Sequence, residues 1–360
     1  MDPASSLFER IRRKVDSRER LTFKDGLELF RSSAILSIGS LANRVRERVH
    51  GRQVFYAANL HLNHTNICVT RCAFCAFSRE AGSPDAYALT LEEIEARVRD
   101  AVKRREINEV HIVGGHNPAL DLDYYVAMLE KIRRVGPSLF IKAFSATEIE
   151  DLARRSGLTV RLVLEVLQKA GLDGLPGGGA EIFDPQTRRR ICPEKISAEI
   201  WLDVHRTAHR LGLRSNATML YGHGETDAVR VEHLLKLREL QDETRGFSAF
   251  VPLPYNPGNG QLAGARPTTG FLDLKVLSIS RLLLDNIPHV KVHWAATDLK
   301  FAQAALSFGV DDLGGLNLEE KVMRAAGSGP SGDLSSEDLD RCIKDAGFEP
   351  RRVDSSYQMS

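Results

Sequence analysis

The apolar positions along the chain change period near residue 54. Residues 1 to about 50 carry apolar side chains at helical spacing, and Thr22 and Asp25 stand in the positions of a capping box before one such run. From about residue 54 onward, short apolar runs alternate with longer amphipathic segments, which is typical of repeated β-α units and a parallel sheet. The pattern predicts a helical extension followed by an α/β domain.

Eight apolar runs have the length of strands. They lie near 55–62, 108–113, 138–143, 172–176, 213–220, 247–253, 289–294 and 309–313. Segments with helical spacing lie between them, among them 91–104, 123–135, 146–155, 195–211 and 229–244. Eight strands with intervening helices predict a (β/α)8 barrel of the TIM type.

We expect three parts along the chain. Residues 1–53 form the helical extension and residues 54–326 the barrel. Residues 327–360 begin with a Gly/Ser/Pro linker up to Gly332, and Ser335 then caps a last helix whose tail packs on the barrel.

Residues with unusual chemistry follow the predicted strands. Three cysteines come after the first strand, and Gly114, Gly115 and His116 come after the second. A glycine triplet at 177–179 follows the fourth strand, and His223 follows the fifth. In a (β/α)8 barrel the loops after the strand carboxyl ends form the active site. We therefore expect these residues at one mouth of the barrel.

The composition limits the kinds of molecule that the chain is expected to bind. The 360 residues contain 49 Lys and Arg against 48 Asp and Glu, so charge gives no reason to expect nucleic acid or an anionic membrane surface. The N-terminal residues lack the features of a signal peptide, and no apolar run has membrane-spanning length. Five cysteines, three of them within eight residues, do not indicate a disulfide framework. We expect a cytoplasmic protein with a small-molecule substrate and no membrane partner.

The three cysteines, Cys68, Cys72 and Cys75, have C-x3-C-x2-C spacing with Phe74 before the last thiol. Iron-sulfur clusters are normally held by four cysteines, so three on one loop predict a cubane cluster with one iron left open for another ligand. A zinc site with His64 as the fourth ligand is the alternative, although the spacing differs from the paired C-x2-C arms of structural zinc sites.

This motif after the first strand of a barrel resembles the radical S-adenosylmethionine (SAM) superfamily. Further runs resemble its branch of futalosine-pathway enzymes of menaquinone biosynthesis and deazaflavin cofactor synthases, and within it most closely the aminofutalosine synthases. These runs read NHTNIC at 63–68, CAF at 75–77, VGGHNP at 113–118, LPGGGAEI at 175–182, RICPEKI at 190–196 and HRTAH at 205–209.

The resemblance implies a 4Fe-4S cluster held by the three cysteines, SAM as cosubstrate, and an electron donor such as flavodoxin or ferredoxin. It implies that the 5′-deoxyadenosyl radical adds to the double bond of 3-[(1-carboxyvinyl)oxy]benzoate. Aryl migration and loss of a carboxylate then give 6-amino-6-deoxyfutalosine, with methionine as the other product.

Several residues are candidates for binding SAM. Gly114 and Gly115 match the superfamily position where bare backbone approaches the methionine amino group, and Phe74 is expected near the adenine. Glu181 is a candidate partner for the ribose or amino group, or else caps the next helix. Asn216 is expected to point into the barrel on the same strand face as Met219 and Tyr221.

The substrate carries two carboxylates, so its pocket needs cations or hydrogen-bond donors. Arg79 and Tyr221 are the candidates for substrate binding, with Arg188, Arg189 and Arg190 as a second choice. Four histidines lie at predicted strand ends and could orient a carboxylate or move a proton. They are His61, His116, His223 and His293.

Three rival functions stay open at the level of sequence. The sister futalosine enzyme, cyclic dehypoxanthine futalosine synthase, and the deazaflavin cofactor synthase subunit share the cluster motif but abstract hydrogen. A zinc-stabilised binding protein without turnover is the third.

Overall fold

The computed structural model describes residues 3–105, 107–259, 262, 264–327 and 334–357. Its first helices are α1 (Pro3–Asp16), α2 (Phe23–Arg31) and α3 (Ile35–His50). The predicted capping box is confirmed, since Thr22 and Asp25 cap α2 reciprocally. The buried Asp25 carboxylate also binds Arg10 and Lys14 of α1, which holds the first two helices together.

Seven strands form one parallel sheet in chain order. They are β2 (Asn59–Leu62), β3 (Glu109–Ile112), β4 (Phe140–Ala143), β5 (Gly174–Leu175), β6 (Arg214–Tyr221), β7 (Phe247–Pro254) and β8 (His289–Val290). A second parallel sheet has β1 (Gln53–Ala57) between β9 (Asp312–Gly315) and β10 (Glu349–Arg352). Each of the eight predicted apolar runs contains or overlaps a strand.

The two sheets join to close the barrel. Only residue 58 lies between β1 and β2, so the two strands together occupy one strand position of the barrel. β9 pairs with β1, and an isolated pairing of Lys291 with Asp312 continues the ladder from β8 to β9. Leu60 in β2 pairs with Leu318 beyond β9. These links bring the first and last strands together and confirm the predicted (β/α)8 barrel.

Helices alternate with the strands of the barrel. They are α4 (Leu91–Arg105), α5 (Leu122–Val135), α6 (Ala146–Ser156), α7 (Val160–Ala170), α8 (Pro185–Ile191), α9 (Ala198–Arg210), α10 (Asp227–Thr244), α11 (Gly270–Leu283), α12 (Leu299–Ala305), α13 (Val322–Ala325) and α14 (Ser336–Asp345). In α5, Asp121 caps the first turn, and Tyr125, Met128, Leu129 and Ile132 are buried at helical spacing. Within the described chain, none of the helices combines the length and apolar character needed to cross a bilayer.

The C-terminal segment packs at the end of the barrel where the strands begin, which we call the lower end. Ser335 and Asp338 form a capping box on α14, and β10 then pairs with β1 as an additional strand that the sequence did not predict. Beyond β10, Ser355 accepts a hydrogen bond from Lys142 Nζ at 2.7 Å. The Tyr357 hydroxyl donates to Asp312 at 2.6 Å. Linker residues 328–333 lie outside the described residues, and the three-part division stays a prediction.

Candidate active site

A cavity of about 320 Å³ lies at the carboxyl ends of the barrel strands and extends into the barrel. Most of the residues singled out from the sequence line it together. They are His61, Cys68, Cys72, Phe74, Cys75, Gly114, Gly115, His116, Glu181, Asn216 and His293. The predicted mouth therefore exists, although the roles given to these residues stay predictions.

The cysteine loop is fixed by backbone hydrogen bonds. Cys68 N donates to the carbonyl of Arg79 at 3.0 Å, and Cys75 N donates to the carbonyl of Cys72 at 3.0 Å. The Arg79 guanidinium donates to the carbonyls of Ala76 and Ser78 and pairs with Asp85. Arg79 does not line the cavity, and its charge is used to hold the loop, so its predicted role in substrate binding stays a prediction.

The spacing of the thiols bears on the choice between zinc and a cluster. All five cysteines are free thiols. Among the described residues, one group of three potential metal ligands has its ligand atoms within 4.8 Å of one another, namely His50, His289 and Asp311. The three cysteine sulfur atoms do not form such a group. One zinc ion with Zn–S bonds of ~2.3 Å needs its sulfur atoms roughly 4 Å apart. The three cysteines are therefore spread too widely for a single zinc ion.

The glycine pair after β3 is needed for close packing. A Cβ at Gly115 would lie 2.1 Å from the carbonyl oxygen of Ile67, just before Cys68. A Cβ at Gly114 would lie 2.4 Å from the His64 ring. His64 is fully buried beneath this loop, with its ring 5.3 Å from that of Tyr125. It belongs to the packing of the loop and does not serve as a fourth zinc ligand.

Glu181 is anchored beside the cysteines. Its carboxylate pairs with Lys195 Nζ at 2.5 Å, and the same ammonium lies 5.2 Å from the centre of the Phe74 ring. The alternative role of Glu181 as a helix cap is wrong, because Asp184 caps α8. Glu181 and Phe74, two of the side chains predicted to contact SAM, thus meet at Lys195, which the sequence analysis did not single out.

Known proteins resemble this chain over most of its length. A family model described as the radical SAM superfamily matches residues 62–237, and one described as the CofH/MqnC C-terminal region matches residues 244–360. An aminodeoxyfutalosine synthase of Thermus thermophilus is 42% identical over 97% of this chain and 94% of its own length. The chain belongs to the radical SAM superfamily. A second aminodeoxyfutalosine synthase, from Streptomyces coelicolor, is 41% identical over 99% of this chain and 94% of its own length.

Two solved structures share the fold of this chain. Methylornithine synthase (PylB) aligns with a TM-score of 0.74 at 17% identity, over 96% of this chain and 98% of its own. The FeFe-hydrogenase maturase HydG from Carboxydothermus hydrogenoformans aligns with a TM-score of 0.77 at 16% identity, over 98% of this chain and 81% of its own. The radical SAM barrel predicted from the sequence is confirmed.

Membership in the radical SAM superfamily implies a 4Fe-4S cluster and SAM, and the residues present fit a cluster. The loop offers three thiols that face one cavity, which is the donor set that iron-sulfur clusters use. Burial raises the pKa of the Cys72 thiol to about 12, and a bound metal ion would deprotonate this thiol on coordination.

Replacing Gly115 with Ala tests the packing of this loop. The added methyl group would meet the Ile67 carbonyl, so the backbone before Cys68 must move. We expect iron and acid-labile sulfide after anaerobic reconstitution to fall severalfold. Gly178→Ala is the matched control in the same cavity, since its Cβ would lie an ordinary 3.5 Å from Ser145. Equal cluster content in both variants would contradict the packing argument.

Tyr221 and His223 do not line the cavity. Asn216, Thr218 and Leu220 line it, so odd-numbered residues of β6 face the other way. The Tyr221 hydroxyl donates to Asp273 of α11 at 2.8 Å. Placing Tyr221 and Met219 on the face of Asn216 was wrong, because residues an odd number apart point to opposite sides of a strand.

His223 is taken up by its own loop, where its ring lies within hydrogen-bonding distance of the Leu220 carbonyl and beside Glu225. Arg188, from the second choice of cations, donates to the carbonyls of Ala180, Ile182 and Ile196. Neither side chain is available to a substrate in the cavity.

Three cavity residues were missed because they lie inside predicted strands. His111 pairs in register with His61 on one side and Lys142 on the other, so three polar side chains stand in a row across β2, β3 and β4. The His61 and His111 rings stack with centroids 4.6 Å apart. Lys291 lies across the barrel beside His293. The alternation of Glu109 and His111 with apolar residues in β3 was a usable signal for this row.

These imidazoles are neutral near pH 7. Burial lowers the pKa of His61 and His111 well below the usual value, and the neighbouring Lys142 lowers both further. Burial and Lys291 lower the pKa of His293 to about 4. The rings therefore offer one donor and one acceptor each, while the charge in this part of the cavity comes from the two lysines.

Glu148 is a further cavity residue that the sequence analysis missed. It forms the capping box of α6 with Ser145, and its carboxylate also accepts from Gly114 N at 3.2 Å. Burial raises its pKa to about 7. The S-x-x-E signature was visible in the sequence, but it indicates only a helix start.

Proposed function

We propose that this radical SAM enzyme is an aminodeoxyfutalosine synthase of menaquinone biosynthesis, acting in the cytoplasm. It joins the 5′-deoxyadenosyl group of SAM to the enolpyruvyl double bond of 3-[(1-carboxyvinyl)oxy]benzoate, moves the aryl group and releases the enolpyruvyl carboxylate as carbon dioxide or, with water, as bicarbonate. The electron that cleaves SAM is given back when the carboxylate leaves. The products are 6-amino-6-deoxyfutalosine and methionine.

One observation carries this proposal: a single cavity contains the three cysteines at its mouth and the two lysines inside the barrel. That arrangement suits a dianionic substrate held below SAM. Identity points the same way, since the two aminodeoxyfutalosine synthases are 42% and 41% identical to the chain. A cyclic dehypoxanthine futalosine synthase of Streptomyces coelicolor is 36% identical.

In this proposal the cavity residues have separate roles. A bound 4Fe-4S cluster would supply the electron that cleaves SAM, and Cys68, Cys72 and Cys75 would hold it. Gly114 and Gly115 leave their backbone bare toward the methionine part of SAM. The remaining SAM contacts come from Phe74, Glu181 and Asn216, which line the same cavity.

Proton handling falls to the neutral histidines that face the cavity. His61, His116 and His293 line it. His116, whose carbonyl accepts from Val69 N beside the cysteines, is placed to accept or return a proton as the carboxylate leaves, whereas His61 and His293 lie near the two lysines. An external one-electron donor, a flavodoxin or ferredoxin, completes the set of partners.

Product analysis after anaerobic incubation with SAM, dithionite and the enolpyruvyl benzoate tests this function. Addition leaves the adenosine part of SAM inside the product, so we expect the mass of 6-amino-6-deoxyfutalosine with one methionine per product. Hydrogen abstraction, as in the rival enzymes, would instead release free 5′-deoxyadenosine in proportion to turnover. A zinc-containing chain without acid-labile sulfide would rule out both.

A further inference from the structure

The lower part of the cavity is built from paired charges. Lys142 Nζ lies 2.7 Å from the Glu109 carboxylate and 2.7 Å from Ser355 Oγ. Lys291 Nζ lies 3.1 Å from Asp312. Both lysines are at least nine-tenths buried, and both face the cavity. We call these two lysines with His61, His111 and His293 the cavity floor.

The floor has hydrogen-bonding capacity left over. An ammonium group has three donors; Ser355 takes one of those of Lys142, and Glu109 forms an ion pair with it. Within the described chain, no hydrogen-bond partner is present for three buried atoms of cavity residues: Asn317 Nδ2, Tyr255 Oη and His293 Nδ1. Asn317 lies beside the floor, with its Oδ1 3.0 Å from His61 Nε2. Buried polar groups are normally satisfied, so these atoms point to a polar ligand in the cavity.

We infer that the cavity floor binds the ring carboxylate of the aromatic substrate, with Lys142 as its main cationic contact. This inference rests on the proposed function and assigns the orientation of the substrate within it. The enolpyruvyl double bond must lie near SAM at the cysteine end. The ring carboxylate, which persists in the product, then extends down toward the lysines.

The charges around the floor bear on this orientation. Each floor lysine has one buried carboxylate partner, so the charges of these four groups nearly balance. A carboxylate ligand adds one negative charge to this set, and hydrogen bonds from the ammonium groups and from the neutral donors around it would stabilise that charge. Neither Glu109 nor Asp312 lines the cavity, and Asp312 accepts from Tyr357 of the C-terminal segment, which leaves the cavity side of the lysines for the substrate.

The test compares two substrates in two enzymes. The substrates are the enolpyruvyl benzoate and 2-phenoxyacrylate, which lacks the ring carboxylate. The enzymes are the wild type and the double variant Glu109→Gln/Lys142→Met, which removes both buried charges together. We expect the wild type to prefer the benzoate by about 10- to 100-fold in kcat/KM, the worth of a charge-assisted hydrogen bond. We expect the double variant to lose this preference and to keep substrate-free cleavage of SAM.

Glu95→Gln/Lys131→Met is the matched control, since this pair is 2.8 Å apart on helices outside the barrel. It should keep the full preference. A double variant that still prefers the benzoate, or a wild type with no preference, would overturn the inference. Failure of the proposed function is distinguishable, because the wild type would then form no adduct with either substrate.

A second variant tests the inference in case the double variant does not fold. If the double variant does not fold, Lys142→Arg retains the charge but places a longer, planar head on the floor. We expect KM for the benzoate to rise about tenfold while substrate-free cleavage of SAM stays unchanged. An unchanged KM would refute the assignment of Lys142.

Discussion

Replacing Cys72 with Ala should abolish the cleavage of SAM and leave the barrel folded. With one of three thiols lost, two remain to hold a cluster that normally uses four protein ligands. The cysteine loop keeps its shape through backbone bonds that do not involve the thiol, such as Ala73 N to the carbonyl of Ile191 at 2.9 Å. Methionine release with dithionite should therefore fall to background, while the far-ultraviolet circular dichroism stays unchanged.

Cys342→Ala is the matched control for this experiment. Cys342 and Cys72 are each 8% exposed, but Cys342 lies in α14, far along the chain from the cysteine loop. The control should retain iron, acid-labile sulfide and turnover. Turnover by the Cys72 variant at the rate of the control would refute the cluster assignment and, with it, the proposed chemistry.

Replacing Asp311 with Asn should cost about 3–5 kcal/mol in the free energy of unfolding, the usual loss when one partner of a buried ion pair is removed. Asp311 is fully buried and accepts from Arg281, from His289 Nδ1 at 2.5 Å and from Val290 N at 2.9 Å. Arg281 is only 2% exposed, so loss of the carboxylate charge leaves a buried guanidinium without its counterion. Urea unfolding measures the difference.

Asp285→Asn provides the comparison, because Asp285 pairs with Arg20 where both side chains are more than a third exposed. Exposed pairs contribute at most about 1 kcal/mol. Losses of similar size in the two variants would contradict the role given to Asp311.

The same carboxylate predicts a dependence on pH. Burial opposes ionisation of Asp311, but Arg281 and His289 together lower its pKa far below the usual value. A lowered pKa in the folded state means that the stabilisation is complete above the unfolded value of ~4 and is lost as the pH falls below it. The Asp311→Asn variant should therefore lose less stability than the wild type between pH 5 and roughly pH 3.

The barrel was predictable because its strands are short apolar runs that recur between amphipathic helices. β10 was not, since Glu349, Pro350, Arg351 and Arg352 carry no apolar alternation and the strand lies at the edge of its sheet. Such an edge strand forms through backbone pairing with β1, which leaves no mark on side-chain chemistry.

The site was predictable where residues follow the strands and unpredictable where they lie within them. The cysteines, the glycine pair and Glu181 were found because loop positions with special chemistry stand out. Lys142 and Lys291 were missed, because a lysine inside a strand normally indicates a solvent-exposed face, and only closure of the barrel turns that face inward. The position of Arg79 outside the cavity was also unpredictable, since the sequence does not show that its guanidinium is bound by its own loop.

The C-terminal segment has a consequence for biosynthesis. Ser355 hydrogen-bonds to Lys142, and Tyr357 hydrogen-bonds to Asp312. The ribosome adds these two residues only after all strands of the barrel have been synthesised. Until this segment packs on the barrel, water can enter at the end where the strands begin, and the Lys142–Glu109 and Lys291–Asp312 ion pairs stay hydrated. In a nascent chain stalled after β9, the barrel should therefore still be open to water at the end where its strands begin. The closed active-site cavity forms late in synthesis.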